Sequence, residues 1–124
     1  MNFRSDNTAG VAAEIMAAMA AANEKAAPAY GDDLWSRQLD ARFSALFEHE
    51  VRVFTVATGT AANAISLASV TPPWGAIVCH EEAHIACDEC GAPEFYSDGA
   101  KLVLVGGGAA KLTPEAVAEG AGRN

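Results

Sequence analysis

Positive charge is scarce in this chain. Eight lysines and arginines face sixteen aspartates and glutamates, for a formal net charge of −8 over 124 residues. That balance excludes the basic surface on which nucleic acids and anionic membranes dock. Lysine itself occurs only at Lys25, Lys101 and Lys111, so chemistry that needs an amine has few candidates. Cysteine is rare and odd in number, at three, which rules out a disulfide framework and suits a reducing compartment. No stretch reaches the roughly 18 consecutive apolar residues of a membrane span. The alanine-rich stretch 9–22 is broken by Glu14 and lacks a basic lead-in. These absences predict a soluble, cytoplasmic protein with neither nucleic-acid nor membrane partners. No linker, internal repeat or low-complexity tract divides the chain, so residues 1–124 read as one domain or part of one.

What is abundant is apolar surface, 51 % of the residues, enough in principle for a buried core. Thr8 is placed to cap an alanine-rich helix running to about Asn23, and Pro28 and Gly31 mark the loop after it. Leu34, Trp35, Leu39, Phe43, Leu46 and Phe47 recur at helical spacing and predict a second helix whose apolar face packs into a core. Residues 51–57 read as a strand, 61–70 as a helix stopped by Pro72-Pro73, and 76–79 as a second strand, a β-α-β unit with parallel strands. A third strand is expected over 102–105, and Thr113-Pro114-Glu115 opens another helix. Helices followed by strand–helix units predict an α/β fold with a mostly parallel sheet. Three strands are too few to cover both faces of such a sheet, so the pattern reads as the N-terminal portion of a larger, here incomplete, fold.

Two clusters carry chemistry. Thr58-Gly59-Thr60-Ala61-Ala62-Asn63 lies where an apolar run meets a helix start, and the unpaired first amides of a helix carry the positive end of its dipole. A turn glycine lets the backbone approach a ligand closely, and the threonine hydroxyls add donors. A phosphate fits there; plain N-capping by Thr58 or Thr60 is the competing explanation. The second cluster, Cys79 to Cys90, follows the strand 76–79 at the end where open α/β sheets bind ligands. Cys87 and Cys90 have the spacing of a zinc knuckle, which His80 or His84 and Cys79 would complete, but no second ligand pair stands elsewhere. Alternatively, the imidazole of His84 stacks on a planar ring whose phosphate sits at the neighbouring helix. For a single histidine near a loop, a solvated or hydrogen-bonded role competes with both.

Four motifs recur together. Phe3-Arg4-Ser5-Asp6-Asn7-Thr8, Tyr30-Gly31-Asp32-Asp33, Thr58-Gly59-Thr60-Ala61-Ala62-Asn63, and Ala83-His84-Ile85 followed by Glu89-Cys90-Gly91-Ala92-Pro93 stand in the order and at the separations found in threonine aldolases. Over nearly its whole length the chain resembles that family, which belongs to the β-eliminating lyase group of pyridoxal-phosphate enzymes with the aspartate-aminotransferase type of fold. The resemblance implies the N-terminal helices and first β-α-β units of a fold-type-I large domain. It implies that Gly59 and Thr60, with Thr58 where the family often has serine, hold the phosphate of pyridoxal 5'-phosphate. His84 would stack on the pyridine ring and contribute to proton transfer, as the catalytic residue. Ser5 would help bind the substrate carboxylate, Tyr30 and Asp32 would lie near the active site, and Glu89 falls near the cofactor without an assigned step. No metal is implied.

The reaction implied is retro-aldol cleavage of a β-hydroxy-α-amino acid such as L-threonine or allo-threonine to glycine and an aldehyde. A β-elimination on another amino acid, or a non-catalytic phosphate- or metal-binding remnant, are the alternatives. Leu34, Arg37-Gln38 and Cys90 depart from the family's usual residues and leave the substrate open. In the family the cofactor's lysine, the carboxylate for its ring nitrogen and the arginine for the substrate come from further downstream, and Lys25, Lys101 and Lys111 stand in no such context. The 124 residues by themselves are therefore expected to be inactive, and the full-length form to be a homo-oligomer, dimer or tetramer.

Overall fold

Residues 8–122, which the computed structural model describes, fall into two units, Met1–Phe54 and Thr55–Asn124. In the first, α1 (Ala13–Ala22) is built from strong helix formers and ends at Asn23 as expected. Its start differs from expectation. Thr8 lies in a short 3₁₀ turn and the helix begins after Ala12, with no side-chain cap. Gly10, the weakest helix former but proline, separates the two. Asp33 caps α2 (Leu34–Phe47): Ser36 donates its amide to Oδ1 at 2.9 Å and its hydroxyl to Oδ2 at 2.6 Å. Glu48, in the left-handed region at φ 52°, ends it.

No residue of α1 or α2 is buried. The α2 aromatics expected in a core are instead exposed; Phe43 and Phe47 meet each other across one helical turn, ring centroids 6.1 Å apart. Periodicity defines an apolar face but not what covers it. The expected strand over 51–57 does not form either. Val51 donates its amide to Ser44 Oγ at 3.0 Å and Val53 to Asp40 Oδ1 at 2.8 Å, while Arg52 pairs with Asp40 Oδ2 at 2.9 Å. Residues 51–53 thus bond to side chains of α2, whereas a strand requires a neighbouring strand for its amides and carbonyls. Among the described residues none pairs with it.

The second unit contains α3 (Gly59–Val70), β1 (Ala76–His80), two short helices α4 (His84–Cys87) and α5 (Ala92–Tyr96), β2 (Lys101–Val105) and α6 (Pro114–Ala121). The described sheet has two strands rather than three. β1 and β2 run parallel, with Ala76 opposite Lys101 and His80 opposite Val105. The β-α-β unit expected from 51–57, 61–70 and 76–79 therefore does not form; the parallel pair is instead β1 and β2, joined through α4 and α5. Thr113 caps α6 through the Ala116 amide at 3.2 Å. That helix lies on the sheet where Gly120 is buried: a Cβ there would come 2.8 Å from Val105 Cγ1 and 2.9 Å from Val78 Cγ1. α3 packs on α5, with Ala64 and Pro93 buried. Ile77, Cys79, Ala100 and Val105 complete the small core, whereas Leu104 stays partly exposed on the face away from α6.

Replacing Gly120 by leucine is expected to lower stability by about 1–3 kcal/mol through overpacking, read as a reduced urea midpoint. Gly59→Ala is expected to leave that midpoint in place, since a Cβ at Gly59 meets nothing within 4 Å.

The first unit depends on two carboxylates in a pH-sensitive way. Ser36 holds the Asp33 carboxyl below its ordinary 3.8 through its hydroxyl and its amide. The Val53 amide, then Arg52, does the same for Asp40. Both groups favour the folded state above the ordinary carboxylate value, and that contribution is lost as pH falls through the lower folded value. Helicity followed by circular dichroism between about pH 5 and pH 2 is expected to fall more steeply in the parent than in an Asp33→Asn/Asp40→Asn variant, which starts less stable and titrates less.

Candidate functional site

α3 starts on an extended residue, Thr58, whose Oγ1 accepts the Ala61 amide at 3.1 Å while its carbonyl accepts that of Ala62 at 3.1 Å. Thr58 is thus an N-cap, as the structural explanation required, and its hydroxyl hydrogen stays available to donate. The amides of Gly59 and Thr60 meet no acceptor among the described residues. They open a helix of twelve residues whose peptide dipoles add up behind them. Nothing crowds Gly59. It does not adopt a left-handed backbone either, so neither space nor strain calls for a glycine there.

Asn63 lies four residues after Gly59, on the same face of α3. Its Nδ2 donates to Glu89 Oε1 at 2.7 Å, across 26 residues of sequence. The same oxygen lies within hydrogen-bond distance of His84 Nδ1, at 2.8 Å. Glu89 is pulled inward by the turn between α4 and α5, where Cys90 and Gly91 are both left-handed at φ 51° and 77°. Its side chain is fully buried, while that of His84 is 63 % exposed. One carboxylate oxygen therefore ties the imidazole to the first turns of α3 and leaves the rest of the ring open. The other, Oε2, is buried with no partner among the described residues.

His80, at the carboxyl end of β1, shapes the loop that delivers His84. Its Nδ1 accepts the Glu82 amide at 3.0 Å and its Nε2–H donates to the Gly107 carbonyl at 3.0 Å. The Ala83 amide returns to the His80 carbonyl at 2.9 Å and the Glu81 amide to Val105 at 3.0 Å. With both ring nitrogens engaged by backbone, His80 is a buried structural residue and not the zinc ligand weighed above. Burial pushes the Cys79 thiol up, and Cys87 donates its S–H to the Glu81 carbonyl at 3.2 Å. No three histidine, cysteine or acidic side chains among the described residues converge as a metal set.

The structure thus brings together Thr58, Gly59, Thr60 and His84 through Asn63 and Glu89. Tyr30 and Asp32 belong to the other unit. Tyr30 is fully exposed in a left-handed turn with Gly31, and Asp32 pairs with Arg37 at 3.1 Å. Ser5 lies outside the described residues. Asn63 went unassigned in the sequence, although an amide side chain one turn into a helix of small and apolar residues signals a partner.

Comparison with known proteins bears on the chain as a whole. Residues 2–122 match the β-eliminating lyase family. The chain is 45 % identical over 115 residues to the low specificity L-threonine aldolase of Pseudomonas aeruginosa, a match covering 93 % of this chain and 33 % of that protein. It is 44 % identical over 117 residues to the enzyme of the same description from a Pseudomonas species, covering 94 % and 34 %. The solved structure of Leishmania major threonine aldolase superposes with a TM-score of 0.84 at 25 % identity, over 94 % of this chain and 34 % of that one. The chain spans about a third of the length of the relatives it matches. It belongs to the β-eliminating lyase family.

Proposed function

We propose that the chain forms the cofactor-phosphate and ring-stacking portion of a threonine-aldolase-type lyase, a part of its large domain, acting on β-hydroxy-α-amino acids with pyridoxal 5'-phosphate. The observation that carries the proposal is the pair of free amides at Gly59 and Thr60, at a helix start left open around Gly59 and tethered through Asn63 and Glu89 to an outward-facing imidazole. Family membership supports the same reading.

The donor set fits the group. The amides of Gly59 and Thr60, with the hydroxyls of Thr58 and Thr60, would take the phosphate. His84 would lie against the pyridine ring. When bound, that ring supplies an electron sink for the Cα–Cβ bond that breaks. His84 Nε2 accepts the proton of the substrate's β-hydroxyl, the general-base task for which an imidazole suits neutral pH. Ser5, Tyr30 and Asp32 are assigned to the border of the amino-acid substrate. Lys101 stands opposite Ala76 at the amino end of the strands, four residues and thus about 13 Å of strand away from the His80 end. Lys111 is exposed after β2, and Lys25 follows α1.

Titration of the chain with pyridoxal phosphate is expected to show one bound equivalent, displaced by inorganic phosphate. Gly59→Ala is expected to weaken binding by roughly tenfold, about 1.4 kcal/mol, with the unfolding midpoint unchanged. No binding, or equal binding by the variant, would remove the basis of the proposal. Borohydride treatment of the one-to-one mixture is expected to leave no stoichiometric adduct on Lys25, Lys101 or Lys111 by intact and peptide mass, whereas a stoichiometric adduct at one of them would assign it the covalent role.

A further inference from the structure

A fully buried carboxylate that spends one oxygen on two donors and leaves the other unpartnered calls for an explanation beyond packing. An apolar side chain would fill the same volume without the desolvation of a charge. Resting on the function proposed above, we propose that Glu89 is a positioning residue for that reaction: it holds His84 as the Nδ1–H tautomer, so that the Nε2 lone pair faces outward as the proton acceptor.

The geometry supports each step. Oε1 accepts from Asn63 Nδ2 at 2.7 Å and lies 2.8 Å from His84 Nδ1, and an ionised carboxylate oxygen can act toward that nitrogen only as an acceptor. A carboxylate that accepts from Nδ1 fixes the hydrogen there, and in the neutral ring Nε2 is then the only basic nitrogen. A proton arriving at Nε2 makes the ring cationic with a carboxylate oxygen 2.8 Å from its far nitrogen. This is the arrangement in which a base is oriented by a third group behind it. Asn63 supplies the remaining restraint. Because it sits one turn from Gly59, the carboxylate is anchored to the element whose first amides are assigned to the phosphate. The imidazole and the phosphate cradle thereby keep a set relation, the precision that proton transfer to a bound substrate demands.

His84 differs in this from His80, the other histidine of the second unit. Backbone groups hold His80 in the opposite tautomer, with Nε2–H donating to Gly107 and Nδ1 accepting from Glu82. The two rings are therefore each other's control in one spectrum.

Long-range ¹H–¹⁵N correlation on the uniformly labelled chain, without cofactor and well above the range in which histidine is protonated, reads both tautomers directly. The expected result is His80 as Nε2–H and His84 as Nδ1–H, the latter in roughly tenfold excess or more, as a charge-assisted hydrogen bond confers. In Glu89→Gln, an isosteric neutral change that retains the packing, the His84 excess is expected to fall roughly tenfold while His80 is unmoved. Asn63→Ala, which leaves the charge in place, is expected to keep Nδ1–H as the major form. His84 found mainly as Nε2–H in the parent would overturn the proposal without any variant, as would an unchanged ratio in Glu89→Gln. Because the spectrum is recorded without cofactor, its outcome is separable from the titration above. Failed cofactor binding with the tautomer intact counts against the proposed function, and bound cofactor with His84 as Nε2–H counts against the role of Glu89.

Discussion

Two short parallel strands do not hold together in water by their ladder alone; a pair becomes stable only when its faces are covered. In the second unit that cover comes from α6, whose Gly120 lets the helix backbone come down onto Val78 and Val105. The parallel register then fixes direction. With Ala76 beside Lys101 and His80 beside Val105, both strands deliver their next loops to the same end. His80 locks those loops by bonding Glu82 on one side and Gly107 on the other. The place where His84 begins α4 follows from that closure, and so does the turn that sends Glu89 inward. Most of the candidate site thus depends on the covered strand pair.

Polar groups in the site divide into those the fold consumes and those it leaves over. The threonine cap, both nitrogens of His80 and the Cys87 thiol are all spent on backbone partners. Left over are the amides of Gly59 and Thr60, the open ring of His84 and the second oxygen of Glu89. Every helix leaves its first amides to water or a ligand, but buried acceptors rarely lack a partner, so among the leftover groups the second oxygen of Glu89 most calls for an explanation. Family membership rests on the whole chain, while the assignment of tasks rests on these few atoms.

Sequence pattern made the helices and the two strands legible because their signals are local. Thr58 and Thr113 are caps by chemistry, prolines stop or start helices by the lack of an amide, and short continuous apolar runs suit a buried strand. The same logic failed where a neighbour was needed. Residues 51–57 have the composition of a strand, but Val51 and Val53 give their amides to Ser44 and Asp40 instead. Thr8 has the chemistry of a cap and caps nothing in α1, since Gly10 stands between them. The short helices α4 and α5 were invisible because four or five residues are too few for a period to show.

The sequence by itself determined the α/β pattern, the caps at Thr58 and Thr113, and the helix start and strand end near which Thr58, Gly59, Thr60 and His84 lie, because each follows from residue chemistry within a few positions. Only the tertiary structure decided that His80 is structural and His84 open, and that a single oxygen of Glu89 joins α3 to α4. Those facts depend on contacts between residues 26 and 27 positions apart, such as Asn63 with Glu89 and His80 with Gly107. A hydrogen bond's partner at that range is set by packing and burial, which no local pattern encodes.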